Sequence, residues 1–133
     1  MNEEIKAEWV RRLRSGDIPQ TASYLGRVDG FRCCLGVLSD MAVEAGIATR
    51  TPDADALLQV YRSGGHTETS LLLHEILDWA GLHGDEDGDI ELDGVVVIGE
   101  GDEALTFNTP SLSFLNDNGA TFAQIADVIE EYL

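Results

Sequence analysis

Lysine and arginine are scarce in this 133-residue chain, eight in all, and none lies beyond position 62. The first 62 residues are nearly balanced at −1, and the remainder carries −16 of the net −17. Such a field repels nucleic acid and anionic membranes while keeping the chain dissolved. Repulsion within the acidic part costs stability unless cations or a basic partner screen it. No apolar run approaches the roughly 20 residues of a membrane helix, and no repeat or low-complexity tract stands out. Met1-Asn2-Glu3-Glu4-Ile5 lacks the basic and apolar regions of a signal peptide. Only two cysteines occur, side by side at 33 and 34, and adjacent cysteines rarely pair with each other. These absences lead to the expectation of a cytoplasmic single domain over 1–133, large enough to bury one core without disulfides or metal.

The chain is organised around Gly30 to Ala42, its most apolar stretch. Tyr24–Val28 and Phe31–Cys33 flank Asp29-Gly30, a two-residue hairpin signal. A helix is expected from Cys34 to Ala45, apolar around most of its circumference and closed by Gly46. Gly36 inside it costs about 1 kcal/mol against Ala, which implies close approach of another backbone.

Before this stretch, Asn2 caps a helix with Ile5, Trp9 and Leu13 inward and Arg11, Arg12 and Arg14 in its last turn. After it, residues 53–62 read equally well as helix, from Thr51-Pro52, or as strand, from Leu57 to Arg62. Ser70–Ala80 reads as a helix stopped by Gly81. Asp89 to Ile98 reads as a second Asp-Gly hairpin, with its second strand buried on both faces and Ala104–Phe107 as an added strand. Thr109-Pro110 starts a short helix through Leu115, and Thr121 with Gln124 forms a capping box for the last helix.

Three blocks carry a family resemblance: Phe31-Arg32-Cys33-Cys34-Leu35-Gly36-Val37-Leu38, Trp79-Ala80-Gly81-Leu82, and Leu115-Asn116-Asp117 onward through Phe122, Ile125, Ala126 and Asp127. In this order they resemble a functionally uncharacterised family of small phage and prophage proteins. The link between Leu82 and Leu115 departs from that pattern in being longer and more acidic. The resemblance implies a phage origin and a compact fold, and it transfers no catalytic residue.

Each chemical motif competes with a simpler reading. A thiolate at a helix N-terminus is a nucleophile only with a base nearby, and His66, His74 and His83 are all distant in sequence. The simpler reading has both sulfurs filling core space. His74-Glu75 with Asp78 and His83 misses the zinc-protease pattern at the second and third ligands. Asp89-Ile90-Glu91-Leu92-Asp93-Gly94 approximates a calcium loop, but the β-formers that follow favour a hairpin. Adventitious divalent-cation binding by Asp85, Glu86, Asp87 and Asp89 stays open. The two terminal helices imitate a helix-turn-helix, yet Asp127, Glu130 and Glu131 would repel phosphates.

The expected fold is α+β, with four or five helices on a small, mostly antiparallel sheet made from two β-hairpins. The expected function is that of a non-enzymatic phage accessory protein. It would bind a basic host protein or defence component through an acidic surface containing Asp85, Glu86, Asp87, Asp89, Glu91 and Asp93. One alternative is sequestration of a small anionic or nucleotide ligand by Arg27, Arg32, Arg50 and Arg62. A cysteine-dependent enzyme is the second. No metal, cofactor, nucleic acid or membrane is expected as a partner, and the oligomeric state stays open, a homo-oligomer included.

Overall fold

The computed structural model describes residues 1–133. Asn2 accepts the Ile5 amide at 3.0 Å and starts α1 (Glu3–Arg14), whose acidic first turn and basic last turn suit the helix dipole. Trp9, Val10 and Leu13 are its buried stripe, with Ile5 half-buried. The Trp9 indole N–H donates to the Cys34 carbonyl at 3.0 Å, tying α1 to α2 (Cys34–Glu44). That second helix is the centre of the molecule, with α1, α3 and α4 packed around it. Gly36 explains its own presence: a Cβ there would lie 1.7 Å from the Leu25 carbonyl oxygen.

The segment from Tyr24 to Cys33 turns as expected but forms no strand ladder. Arg32 makes isolated bridges to Gln20 and Gly26, and Arg27 bridges Leu58. The chain here is divided among several partners, so neither arm of the expected hairpin lengthens.

Within residues 53–62 no helix forms: 54–57 are a turn, and Leu58 to Arg62 belong to a strand. β1 (Thr49–Asp53), β2 (Leu58–Ser63) and β3 (His66–Glu68) form an antiparallel sheet in that order, with Arg50 opposite Tyr61 and Thr49 opposite Arg62. Pro52 lies on the edge strand β1, where proline is tolerated. Next comes α3 (His74–Ala80), shorter than the Ser70 start expected. Residues before His74 bend without coiling, because the Thr69 carbonyl accepts from Leu25 and the Leu72 amide donates to Gly88. Gly81 ends α3 in the left-handed conformation.

The second expected hairpin is not formed. β4 (Val95–Ile98) pairs with β5 (Leu105–Asn108), across a short 3-10 turn at Gly101–Glu103. Residues 89–92 run instead beside Pro110–Leu112, through Leu92 N–H to Pro110 O and Leu112 N–H to Ile90 O. Nor is β4 buried on both faces: Val96 and Ile98 point inward while Val95 and Val97 are each 57% exposed. α4 (Leu112–Asp117) begins later than Thr109-Pro110, and α5 (Phe122–Tyr132) has the Thr121–Gln124 capping box.

The fold is α+β: five helices and two small antiparallel sheets, of three and two strands. α5 packs along α1, and a single cluster including Trp9, Leu35, Leu38, Tyr61, Ile76, Leu112 and Ile125 forms the core. No helix is long and apolar enough to cross a membrane.

Gly36→Ala would gain about 1 kcal/mol in an isolated helix. Here the methyl group meets a backbone carbonyl, so we expect a net loss of about 1–3 kcal/mol in urea denaturation. An unchanged or raised midpoint would contradict the Gly36–Leu25 contact.

Candidate functional site

Arg32 and Arg50 meet at one carboxylate. Arg32 leaves the turn before α2, is only 7% exposed, and donates from Nε to Asp40 Oδ2 at 2.7 Å. Its NH1 group also donates to the Arg27 and Phe31 carbonyls, each at 2.9 Å. Arg50, on β1, donates to Asp40 Oδ1 at 2.6 Å. The Tyr61 hydroxyl donates to the same oxygen at 2.6 Å. Burial, followed by the adjacent Asp40 charge, raises the Tyr61 pKa and keeps the hydroxyl a donor.

The other two arginines of the expected anion pocket lie apart from this pair. Arg27 pairs with Asp29 at 2.5 Å, and its guanidinium carbon sits 4.7 Å from the centre of the Phe31 ring. Arg62 stands opposite Thr49, one register position from the Arg50–Tyr61 pair, so it points to the opposite face of the sheet. Arg27, Arg32 and Arg50 thus spend their donors on protein oxygens.

Both cysteines are buried and unpaired. Desolvation pushes the Cys33 thiol up to about 11 and the Cys34 thiol well above its usual range. Cys34 Sγ lies 3.7 Å from the Leu112 carbonyl, and the histidines are elsewhere, His66 being bonded to Glu75 at 2.7 Å. The amide of Cys34 is held by the Asn116 side chain at 3.1 Å. Asn116 also accepts from Gln20 at 3.0 Å and donates to the Thr21 carbonyl at 2.8 Å. Two of the blocks that carry the family resemblance therefore meet in space, at the start of α2.

The acidic segment is divided by burial. Asp89 is an internal group: its carboxylate accepts from the Ile90 and Ser113 amides and from the Ser113 hydroxyl, which fixes the first turn of α4. Asp85 is half-buried and accepts the amides of Asp87 and Asp89 at 2.8 and 3.1 Å. Glu86, Asp87, Glu91 and Asp93 are exposed. The expectation of one outward cluster from Asp85 to Asp93 is therefore corrected for Asp89 and, in part, for Asp85. No three His, Cys, Asp or Glu side chains are arranged to hold a metal ion.

Sequence reasoning passed over Asp40, Tyr61, Gln20 and Asn116 as site residues. Only Asn116 carried a signal, its place in the Leu115-Asn116-Asp117 block. The other three act through partners brought together only by folding.

The fold and these residues define a small α+β domain whose arginines are largely committed to internal or local contacts and whose free charge is acidic. The chain belongs to the family described as a domain of unknown function (DUF8296), whose model matches residues 1–133. Searches of curated proteins and of solved structures find no match.

The raised thiols generate a prediction in pH. A folded-state pKa above the unfolded value means that the folded chain retains protons which the unfolded chain releases. Stability is therefore full below about pH 8.5 and falls as pH rises toward the folded values, by up to about 1.4 kcal/mol per pH unit for each thiol. Urea melts from pH 8 to 10.5 should show this fall, and Cys33→Ala should lessen it. The same alanine should cost about 1–3 kcal/mol at pH 7 through lost packing. A thiol probe that labels either cysteine rapidly in the folded protein at pH 8 would contradict the burial.

Proposed function

We propose that this protein is a non-enzymatic accessory protein of phage origin that works by binding. Its acidic surface engages a basic host or defence component, in the manner of nucleic acid. The phage origin rests on the sequence blocks already described. The observation that carries the binding reading is the lack of internal compensation in the acidic part of the chain. Of the sixteen acids beyond residue 62, only Asp127 and Glu130 pair with an arginine, and both share Arg14. Glu75 meets His66. The exposed carboxylates of Glu86, Asp87, Glu91 and Asp93 have no cationic partner of their own.

Uncompensated like charges repel one another, and a basic partner relieves that repulsion on contact. The gain appears chiefly as a fast, salt-sensitive association. An enzyme built on Cys33 or Cys34 fits poorly, because both thiols are buried away from any histidine. A four-arginine anion pocket fits poorly as well, since Arg32 and Arg50 share Asp40 and Arg62 is on the other face of its sheet.

Glu86, Asp87, Glu91 and Asp93 replaced together by Lys test this directly, with Asp85 and Asp89 left intact because both accept hydrogen bonds within the fold. The variant should keep its urea midpoint within about 0.5 kcal/mol, as surface changes generally do. It should lose capture of a basic host protein and the associated phage phenotype. Capture by the unaltered protein should weaken as salt rises from about 50 to 300 mM, as the screening length shortens. Unchanged capture and phenotype in the folded variant would contradict the proposal.

A further inference from the structure

We propose that the free edge of β4, together with the facing side of α5, is the docking site for an extended, lysine- or arginine-bearing segment of the partner, which adds to β4 as a third strand. This rests on the acidic-surface reading and adds to it a second contact, separate from Glu86, Asp87, Glu91 and Asp93. The Thr109 amide donates to the Gly94 carbonyl at 2.7 Å, which sets the phase of the β4–β5 ladder. The mutually bonded pairs are then Val96 with Phe107 and Ile98 with Leu105, and the backbone of Val95 and Val97 faces away from β5. The Val95 carbonyl accepts from the Tyr132 hydroxyl at 3.2 Å. The Val97 amide and carbonyl have no partner in the protein.

An open strand edge is a template for another chain. This edge borders a groove of about 380 Å³, whose far wall is the side of α5 that carries Gln124, Asp127 and Glu131 at helical spacing. Glu100 lies at one end. The lining holds three carboxylates and no Lys or Arg, and of those three Arg14 reaches only Asp127. A second copy of this chain would bring its own carboxylates to that lining, so like charge opposes self-pairing while a basic strand is attracted. Side chains of an added strand alternate between faces. One set lies beside the exposed Val95 and Val97, and the other is directed at Asp127 and Glu131.

The test uses the full chain and an eight-residue peptide of alternating Lys and Val, with alternating Glu and Val as the control. Binding is followed by fluorescence anisotropy, and exchange of the Val97 amide by NMR. The Lys-Val peptide should bind at low salt, the Glu-Val peptide should not, and Val97 exchange should slow at least tenfold on binding. Val97→Pro removes only an outward donor on an edge strand, and Glu131→Lys reverses a charge on the α5 wall. Each should weaken binding at least tenfold with an unchanged circular dichroism spectrum. If Val97→Pro unfolds the chain, the exchange of the unaltered protein decides. Binding with Val97 unprotected, or undiminished by Glu131→Lys, overturns strand addition at β4 while leaving the acidic-surface reading standing. A self-associating edge, with Val97 protected in the absence of peptide, overturns it in favour of a second copy. Failure to bind the Lys-Val peptide at low salt overturns it too; loss of the proposed function itself is read separately, from capture by the four-Lys variant.

Discussion

The carboxamide of Asn116 holds the molecule together at the point where its parts would otherwise separate. It is 5% exposed and, from its place on α4, joins two distant pieces of chain: the start of α2 through Cys34 N–H, and the loop between α1 and α2 through the Gln20 side chain and the Thr21 carbonyl. A helix N-terminus buried in a core has amide hydrogens that must find acceptors. The Cys33 side chain at the start of α2 makes no capping bond. Asn116 supplies the acceptor from across the core. Gln20 braces it, donating to the Ala120 carbonyl as well and accepting the Phe122 amide. The first turn of α5 is thereby bound to the same point. Placement of α2, α4 and α5 follows from one side chain, and the Gly36–Leu25 contact then sets how closely the loop lies on α2.

A second constraint governs charge. Asp40 accepts from Arg32, Arg50 and Tyr61, which attaches β1 and β2 to α2 and occupies two arginines, Arg32 buried and Arg50 at the surface. Arg12 and Arg14 of α1 are engaged with Glu44 at the end of α2 and with Asp127 and Glu130 of α5. The cationic side chains thus serve mainly to join elements. Arg62 apart, the exposed charge left without a partner of opposite sign is mainly negative, and the proposed docking of a basic partner is the complement of how the arginines are used.

Features that depend on near neighbours were legible in the chain. The Asn2 cap, the Gly36 approach, the Gly81 stop and the Thr121–Gln124 box each involve residues a few positions apart or a steric property of one residue. Strand pairing was not, because an Asp-Gly step specifies a turn and leaves open what lies beyond it. Gly94 does turn the chain, but Asp89 is already committed to Ser113, so residues 89–92 run along Pro110–Leu112 and β4 takes β5. The strand over 58–63 was obscured by Thr51-Pro52, a helix-start signal that here sits on a sheet edge. At the candidate site, the acidic character could be read from composition alone. Which carboxylates face outward could not, since Asp89 and Asp93 differ only in the contacts made by distant residues.

On this reading the free charge of the protein is an acidic binding surface, because most of its arginines are engaged by carboxylates of the same chain. That claim is tested most directly by mapping amide chemical shifts while a basic probe, such as a lysine oligomer, is titrated at low salt, and again with an anionic nucleotide. The account predicts salt-sensitive shifts at Glu86, Asp87, Glu91, Asp93 and along the β4–α5 groove with the basic probe, and none at Arg32, Arg50 or Tyr61 with the nucleotide. Saturable shifts centred on Arg32, Arg50 and Tyr61 with the nucleotide, and none with the basic probe, would contradict it.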